Sequence, residues 1–275
     1  YHISIHDSLS RKEYINRIGE NCLKILASKN KKIPKNCDVD IVLDKDFKPL
    51  KSDTVQFISK NRNEQMAIFN KNSVDRLESI TRENEKILLY KGSFNPIHNM
   101  HLYAMEVSEE CKKTNGYFII SINTFEKGKQ EIESVLKRIE YINILNYKVI
   151  ICNKPLFKDN LDFLRNKFHK EVIFTMGIDT LIRLFSDYNN KLSSKFNDDF
   201  KNTSFVVLDR EGNYKIPKFL SESNESKFEF ITRNKSTVSS TLIRKYIETN
   251  DHKNIQDLIP DKVYQIMKKN KLVSI

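Results

Sequence analysis

From residue 87 onward the chain alternates short apolar runs with stretches whose apolar positions recur every three or four residues. The runs at 87–90, 117–122, 149–152, 172–176, 205–208 and 228–231 predict strands, and the stretches at 101–113 and 131–145 predict helices. Val135, Ile139, Ile142 and Leu145 form the inward stripe of the second helix. Strands separated by helices imply βαβ units, so the expected fold is α/β, with a Rossmann-like, doubly wound parallel sheet. Residues 240–249 and 260–269 predict two C-terminal helices, the last opening on Pro260 and closing on Lys268 and Lys269.

The first 85 residues carry a different pattern. Residues 9–28 place Ile15, Ile18, Cys22 and Ile25 on one helical face, 39–43 suggests a strand, and 63–80 again suggests a helix. A lysine-rich stretch at 29–35 fits a solvated loop. The expected division is an accessory region at 1–85, of no assigned role, and a principal domain at 86–275.

Composition narrows the function classes. At 275 residues and 39% hydrophobic the chain can bury an ordinary core, and no run of about 18 apolar residues predicts a membrane span. The chain opens on Tyr1 without a basic-then-apolar leader pattern, so a soluble protein of the cytoplasm or nucleus is expected. Cys22, Cys37, Cys111 and Cys152 form no CxxC pair, which argues against a zinc site or a disulfide framework. The net charge of +11 is spread along the chain, so a solvated surface is expected rather than a nucleic-acid groove, and a phosphate-rich small substrate would benefit from the same field.

The chemistry concentrates in two remote stretches. Directly after the strand at 87–90 comes Lys91-Gly92-Ser93-Phe94-Asn95-Pro96-Ile97-His98-Asn99-Met100-His101, followed by a helical pattern. Ligands of open α/β sheets bind beyond the carboxyl ends of the strands, where a glycine permits close approach to a phosphate. His98 and His101 stand three residues apart at the opening of the helix, where both can face one anion. Neither an HExxH pattern nor a carboxylate partner accompanies them, so metal ligation is not expected. The second stretch, Val238-Ser239-Ser240-Thr241-Leu242-Ile243-Arg244, opens a later helix. Its hydroxyls fit an ordinary N-cap when taken alone. Together with Arg244 one turn on, they also fit the β- and γ-phosphates of a triphosphate.

These stretches resemble the nicotinamide or nicotinic acid mononucleotide adenylyltransferases of the HxGH nucleotidyltransferase superfamily, over most of residues 87–275. Gly92 to Leu102 is similar to the family's nucleotide signature, with Met100 as in the eukaryotic branch and His98 as in the bacterial one. Ser239 to Arg244 matches the SSTxxR motif, Met176 to Leu181 resembles the G-x-D segment, and the final helices are similar as well. The resemblance implies transfer of AMP from ATP, with Mg2+, to a mononucleotide phosphate in NAD biosynthesis. It implies that His98, His101 and Arg244 are catalytic, and that Gly92, Ser93, Phe94, Gly177, Asp179, Ser239, Ser240 and Thr241 bind the nucleotide. Lys127 is a further candidate phosphate contact, an exposed loop lysine being the alternative.

Two departures leave the acceptor open. The chain has no Trp to stack on a pyridine ring, Phe125 and Phe157 being the available aromatics, and residues 121–127 lack the family's substrate-loop pattern. A cytidylyltransferase with another acceptor and a non-catalytic nucleotide-binding protein remain as alternative readings. Oligomeric state is not legible.

Overall fold

The computed structural model describes residues 51–60, 66–71, 73–76, 86–124, 128–129, 131–168, 171–189, 193–209, 227–232 and 238–270. In chain order these form α1 (Lys51–Lys60), β1 (Met66–Phe69), β2 (Val74–Arg76), β3 (Lys86–Lys91), α2 (Asn99–Lys112), β4 (Gly116–Ser121), β5 (Asn123–Thr124) and β6 (Gly128–Lys129). There follow α3 (Ile132–Asn143), β7 (Lys148–Cys152), α4 (Phe157–Phe168), β8 (Glu171–Gly177), α5 (Ile178–Ser186) and α6 (Ser194–Asp199). The chain continues through β9 (Thr203–Asp209), β10 (Phe228–Thr232), α7 (Ser240–Glu248), α8 (His252–Leu258) and α9 (Asp261–Lys269).

The main sheet has the order β10-β9-β8-β3-β4-β7-β1-β2. From β10 to β7 every neighbouring pair is parallel. Strand order reverses at β3, which lies between β4 on one side and β8 on the other. This is the arrangement of a doubly wound sheet, and its ligand crevice lies outside the carboxyl ends of β3 and β8.

Side-chain alternation explains why these segments are strands. Leu88 and Tyr90 enter the core on one face, while Ile87 and Leu89 enter the core on the other. The first core is closed by α1, α2, α3, α7, α8 and α9, through residues such as Val55, Met105, Ile139, Ile243, Ile255 and Val263. The second is closed by α4, α5 and α6, through Leu161, Leu181, Phe185 and Phe196. A strand covered on both faces must be apolar throughout, which is why the runs in the sequence are nearly unbroken.

One expectation is corrected. Residues within 63–80 form the hairpin β1–β2 instead of a helix, with β1 antiparallel to β7 through the pairs Ile68 with Ile150 and Phe69 with Val149. The Asn70 N–H donates to the Ser73 carbonyl at 2.9 Å, closing the turn between them. Burial of Ile68 and Phe69 in opposite cores outweighs local propensity there. The hairpin belongs to the main sheet, beside β7. The expected helix at 9–28 and strand at 39–43 lie outside the described residues.

Candidate active site

The connection from β3 to α2 lies at the reversal of strand order. Tyr90 pairs with Thr175, so Gly92 and Gly177 leave the ends of adjacent parallel strands. Gly177 is the N-cap of α5 in extended conformation. Gly92 is fixed by the neighbouring strand and by the residue two positions on. Its N–H donates to the Ile119 carbonyl at 3.1 Å, continuing the ladder with β4. A Cβ at this position would lie 2.7 Å from Cζ of Phe94, so glycine is what lets the phenyl ring fold beneath the loop.

Phe94 is fully buried at 0% exposure. Its ring stands edge-on to Tyr90, His101 and Phe118 at centroid distances of 5.3, 4.9 and 4.9 Å. Its backbone has φ 46°, which turns the loop back toward the sheet, and Asn95-Pro96 is a cis peptide. Ser93 is exposed. The Phe94 side chain is therefore a keel, packed away from solvent beneath the loop.

His98 is the N-cap of α2, and its ring stacks on that of His101 at a centroid distance of 3.5 Å. The His98 N–H donates to Nδ1 of His101 at 3.3 Å. An accepting Nδ1 puts the proton of a neutral His101 on Nε2, making that nitrogen a hydrogen-bond donor. Both rings are nearly closed to solvent, at 1% and 8% exposure for His98 and His101. The pair thus sits behind the loop rather than splayed into open space.

The second stretch folds onto this loop. Ser240 Oγ donates to the Pro96 carbonyl at 3.0 Å, and Arg244 Nη1 donates to the Asn95 carbonyl at 2.8 Å. Arg244 Nη2 also reaches Thr241 Oγ1 at 2.9 Å, and Ser239 Oγ accepts from the Leu242 N–H at 3.2 Å as the N-cap of α7. The amino ends of α2 and α7 therefore converge on one loop, and both helix dipoles raise the positive potential there. Sequence reasoning missed a third anchor. Arg138 of α3, at 1% exposure, donates from Nη1 to the Ser93 carbonyl at 3.1 Å and from Nε to Ser134 at 3.0 Å. Burial lowers its pKa to about 10, so a costly desolvated cation is kept directly under the loop. The carbonyls of Ser93, Asn95 and Pro96 are each held by a side chain from a distant helix.

A cleft of about 790 Å3 opens beside the loop, lined by Gly92 and Ser93, by the connection after β7 and by α5 with the residues that follow it. Leu156 and Phe157 supply an apolar wall, and Lys91, Arg183 and Lys158 supply positive charge. Thr180 and Arg183 of α5 line this cleft, whereas Asp179 is exposed and pairs with Arg183 at 3.5 Å. Lys91 is the deepest cation. Its Nζ donates to the carbonyls of Lys154 and Leu156 at 3.2 and 3.5 Å, and lies 5.5 Å from the centre of the Phe157 ring. Desolvation pushes its pKa down, with Cys152 and Asp159 opposing the shift. A smaller hollow of about 260 Å3 adjoins Asn95 and Pro96 and is lined by Arg244 and Lys137. Lys127 and Phe125 lie outside the described residues.

A model of cytidylyltransferase-like proteins matches residues 89–246, which is more than half of the chain and spans both converging stretches. The chain belongs to the cytidylyltransferase-like family. A probable nicotinate-nucleotide adenylyltransferase of Clostridium acetobutylicum is 28% identical over 207 residues, covering 68% of this chain and 98% of that protein. Two structures of Plasmodium falciparum nicotinic acid mononucleotide adenylyltransferase, one complexed with NaAD and one with APC, match at TM-scores of 0.51 and 0.50 with 19% and 18% identity. Each match covers 69% of this chain and 98% of the other. Among the described residues no helix is long and apolar enough to cross a membrane.

Proposed function

We propose that this member of the cytidylyltransferase-like family transfers AMP from ATP to the phosphate of nicotinic acid or nicotinamide mononucleotide and releases pyrophosphate, a step of NAD biosynthesis. The observation that carries the reading is the docking of Ser240 and Arg244 on the Asn95-Pro96 backbone. It supports a single phosphate site with two helix amino ends, next to a cleft large enough for a mononucleotide. The Clostridium and Plasmodium relatives support the choice of a pyridine mononucleotide as acceptor.

An oxygen of the acceptor phosphate attacks the α-phosphorus of ATP in line, the bond from that phosphorus to the bridging oxygen breaks, and pyrophosphate leaves with the electron pair. No covalent enzyme intermediate is required. His101, donating from Nε2, and His98 stacked on it stabilise charge on the α-phosphate as the bond breaks. Arg244 neutralises the departing pyrophosphate, together with the first turn of α7 at Ser239, Ser240 and Thr241. The backbone of Gly92, Ser93 and Phe94 forms the floor under the reacting phosphates, Gly177 and Asp179 contact the nucleoside side, and Lys127 is a further phosphate contact.

Among the described residues no group of three or more His, Cys, Asp or Glu side chains is gathered to hold a metal ion. Magnesium would enter with the nucleotide and would neutralise charge on its phosphates. The deciding experiment follows pyrophosphate release with ATP or CTP against nicotinic acid and nicotinamide mononucleotides. ATP-dependent release with either pyridine nucleotide is expected, together with loss of about a hundredfold or more in turnover per folded molecule in His101→Ala. Release only with CTP, or an unaffected His101→Ala variant, overturns the reading.

A further inference from the structure

We propose that Lys91 makes the cleft select an acceptor whose aromatic ring carries a carboxylate over the same acceptor carrying an amide. The inference rests on the adenylyl-transfer reading of the cleft and adds the residue that decides between its two acceptors. A carboxylate and a carboxamide have nearly the same size and planarity, so the shape of a wall cannot separate them. Charge can, provided that a cation is fixed where the ring substituent comes to rest.

The geometry points to Lys91 as that cation. It is the last residue of β3, immediately before Gly92 and Ser93, and it lines the cleft. Its side chain reaches the connection after β7, where the Lys154 and Leu156 carbonyls accept from Nζ. The Lys154 carbonyl is itself tied down by the Ser121 hydroxyl, which keeps this mooring in place. The ammonium has three N–H donors, and two suffice for these carbonyls. The same Nζ lies 5.5 Å from the Phe157 ring centre, and Leu156 adjoins it, so the cation borders the apolar wall on which a planar ring can rest. A ring on that wall carries its substituent to within reach of Nζ.

The partners of Nζ in this mooring are neutral carbonyls and a ring face, which return only part of the hydration that the ammonium has lost. A carboxylate supplies a charge-assisted bond, roughly twice the strength of the neutral one an amide oxygen can offer. Two carboxylates also line the cleft, but Asp199 accepts from the Tyr188 hydroxyl at 2.8 Å and pairs with Lys158 at 3.6 Å, which masks its charge. Asp187, the other, directly follows α5.

The test is the ratio of kcat/KM for nicotinic acid mononucleotide to that for nicotinamide mononucleotide, at saturating ATP, in the full chain and in Lys91→Met and Lys91→Arg. The unaltered chain is expected to favour the acid, the Met variant to lose about tenfold or more of that ratio, and the Arg variant to keep a preference for the acid. An unaltered chain that is indifferent or prefers the amide overturns the proposal, as does a Met variant with the original ratio. Turnover of both acceptors at an indifferent ratio removes only this inference, whereas no turnover of either removes the adenylyl-transfer reading along with it. If Lys91→Met does not fold, Lys91→Gln takes its place: a ratio lowered about tenfold or more supports the proposal, and the original ratio overturns it.

Discussion

Arg244 donates from Nη1 to the backbone carbonyl of Asn95 at 2.8 Å, across 149 positions of sequence. This bond makes the two remote motifs parts of one device. The guanidinium holds the loop with one nitrogen and the first turn of α7, at Thr241 Oγ1, with another. A planar fork can do both at once, whereas an ammonium cannot match the geometry. Arg244→Lys is therefore expected to behave almost as badly as Arg244→Ala, each lowering kcat/KM for ATP by about tenfold to a hundredfold. Steady-state kinetics check this, and a Lys variant with the original efficiency would show that charge alone suffices.

Arg138 makes the corresponding contact from below. Its folded pKa is lowered to about 10 by burial, so its charge costs stability at neutral pH, and that cost is relieved only as pH rises toward and past that value. Replacing it with Met removes the bonds to the Ser93 and Ser134 carbonyls, a loss of about 1–3 kcal/mol, but also removes the desolvated charge, which offsets part of the loss. A small fall in urea-unfolding stability, accompanied by a much larger fall in kcat, is expected. A large stability loss with normal kcat per folded molecule would reduce Arg138 to a packing role.

Cys111 is a different kind of site. Its Sγ donates to Glu229 Oε1 at 2.7 Å, and desolvation, with this bond next, raises the thiol pKa to about 11 from an ordinary 9.0. A raised acid pKa means that the folded state holds the proton more tightly. The stabilisation is complete below pH 9.0 and fades as pH rises toward about 11. At about pH 8 Cys111 is expected to alkylate about a hundredfold more slowly than a free thiol, followed by mass spectrometry of its peptide. Glu229→Gln speeds the reaction only in part, because burial is the larger cause. A rate equal to that of free cysteine would show that the thiol is not held by Glu229.

Legibility from sequence followed the range of the forces involved. The parallel strands could be read because burial on both faces demands nearly unbroken apolar runs, as in KVIIC of β7. The β1–β2 hairpin could not, because strands of four and three residues carry too little period to outweigh a helical reading, and their partner β7 lies about 80 positions away. At the site, His98, His101 and Ser239 to Arg244 stood out as motifs, yet what holds them did not. Arg138 carries no motif, and only the fold shows that it turns inward. Lys91 had no motif to mark it, because the wall it meets comes from the connection after β7. Phe94 was legible as part of a motif, but its inward rotation follows from a φ of 46° that no residue pattern announces.

That rotation makes the smallest residue of the loop the most restrictive. A methyl group at position 92 would stand 2.7 Å from Cζ and 2.9 Å from Cε1 of Phe94. The phenyl ring cannot swing aside, since Tyr90, Phe118 and His101 surround it at about van der Waals contact. Gly92→Ala is therefore expected to cost about 1–3 kcal/mol in unfolding stability by overpacking, and to displace the ring on which His101 rests, lowering kcat as well. Phe94→Leu alone leaves a partial void and also destabilises. Because the two defects are complementary, the double variant is expected to be more stable than the sum of the single losses, a coupling that a double-mutant cycle by chemical denaturation measures. Strict additivity would mean that the loop relaxes around the added methyl group without engaging Phe94, and that the glycine is required for some other reason than the ring beneath it.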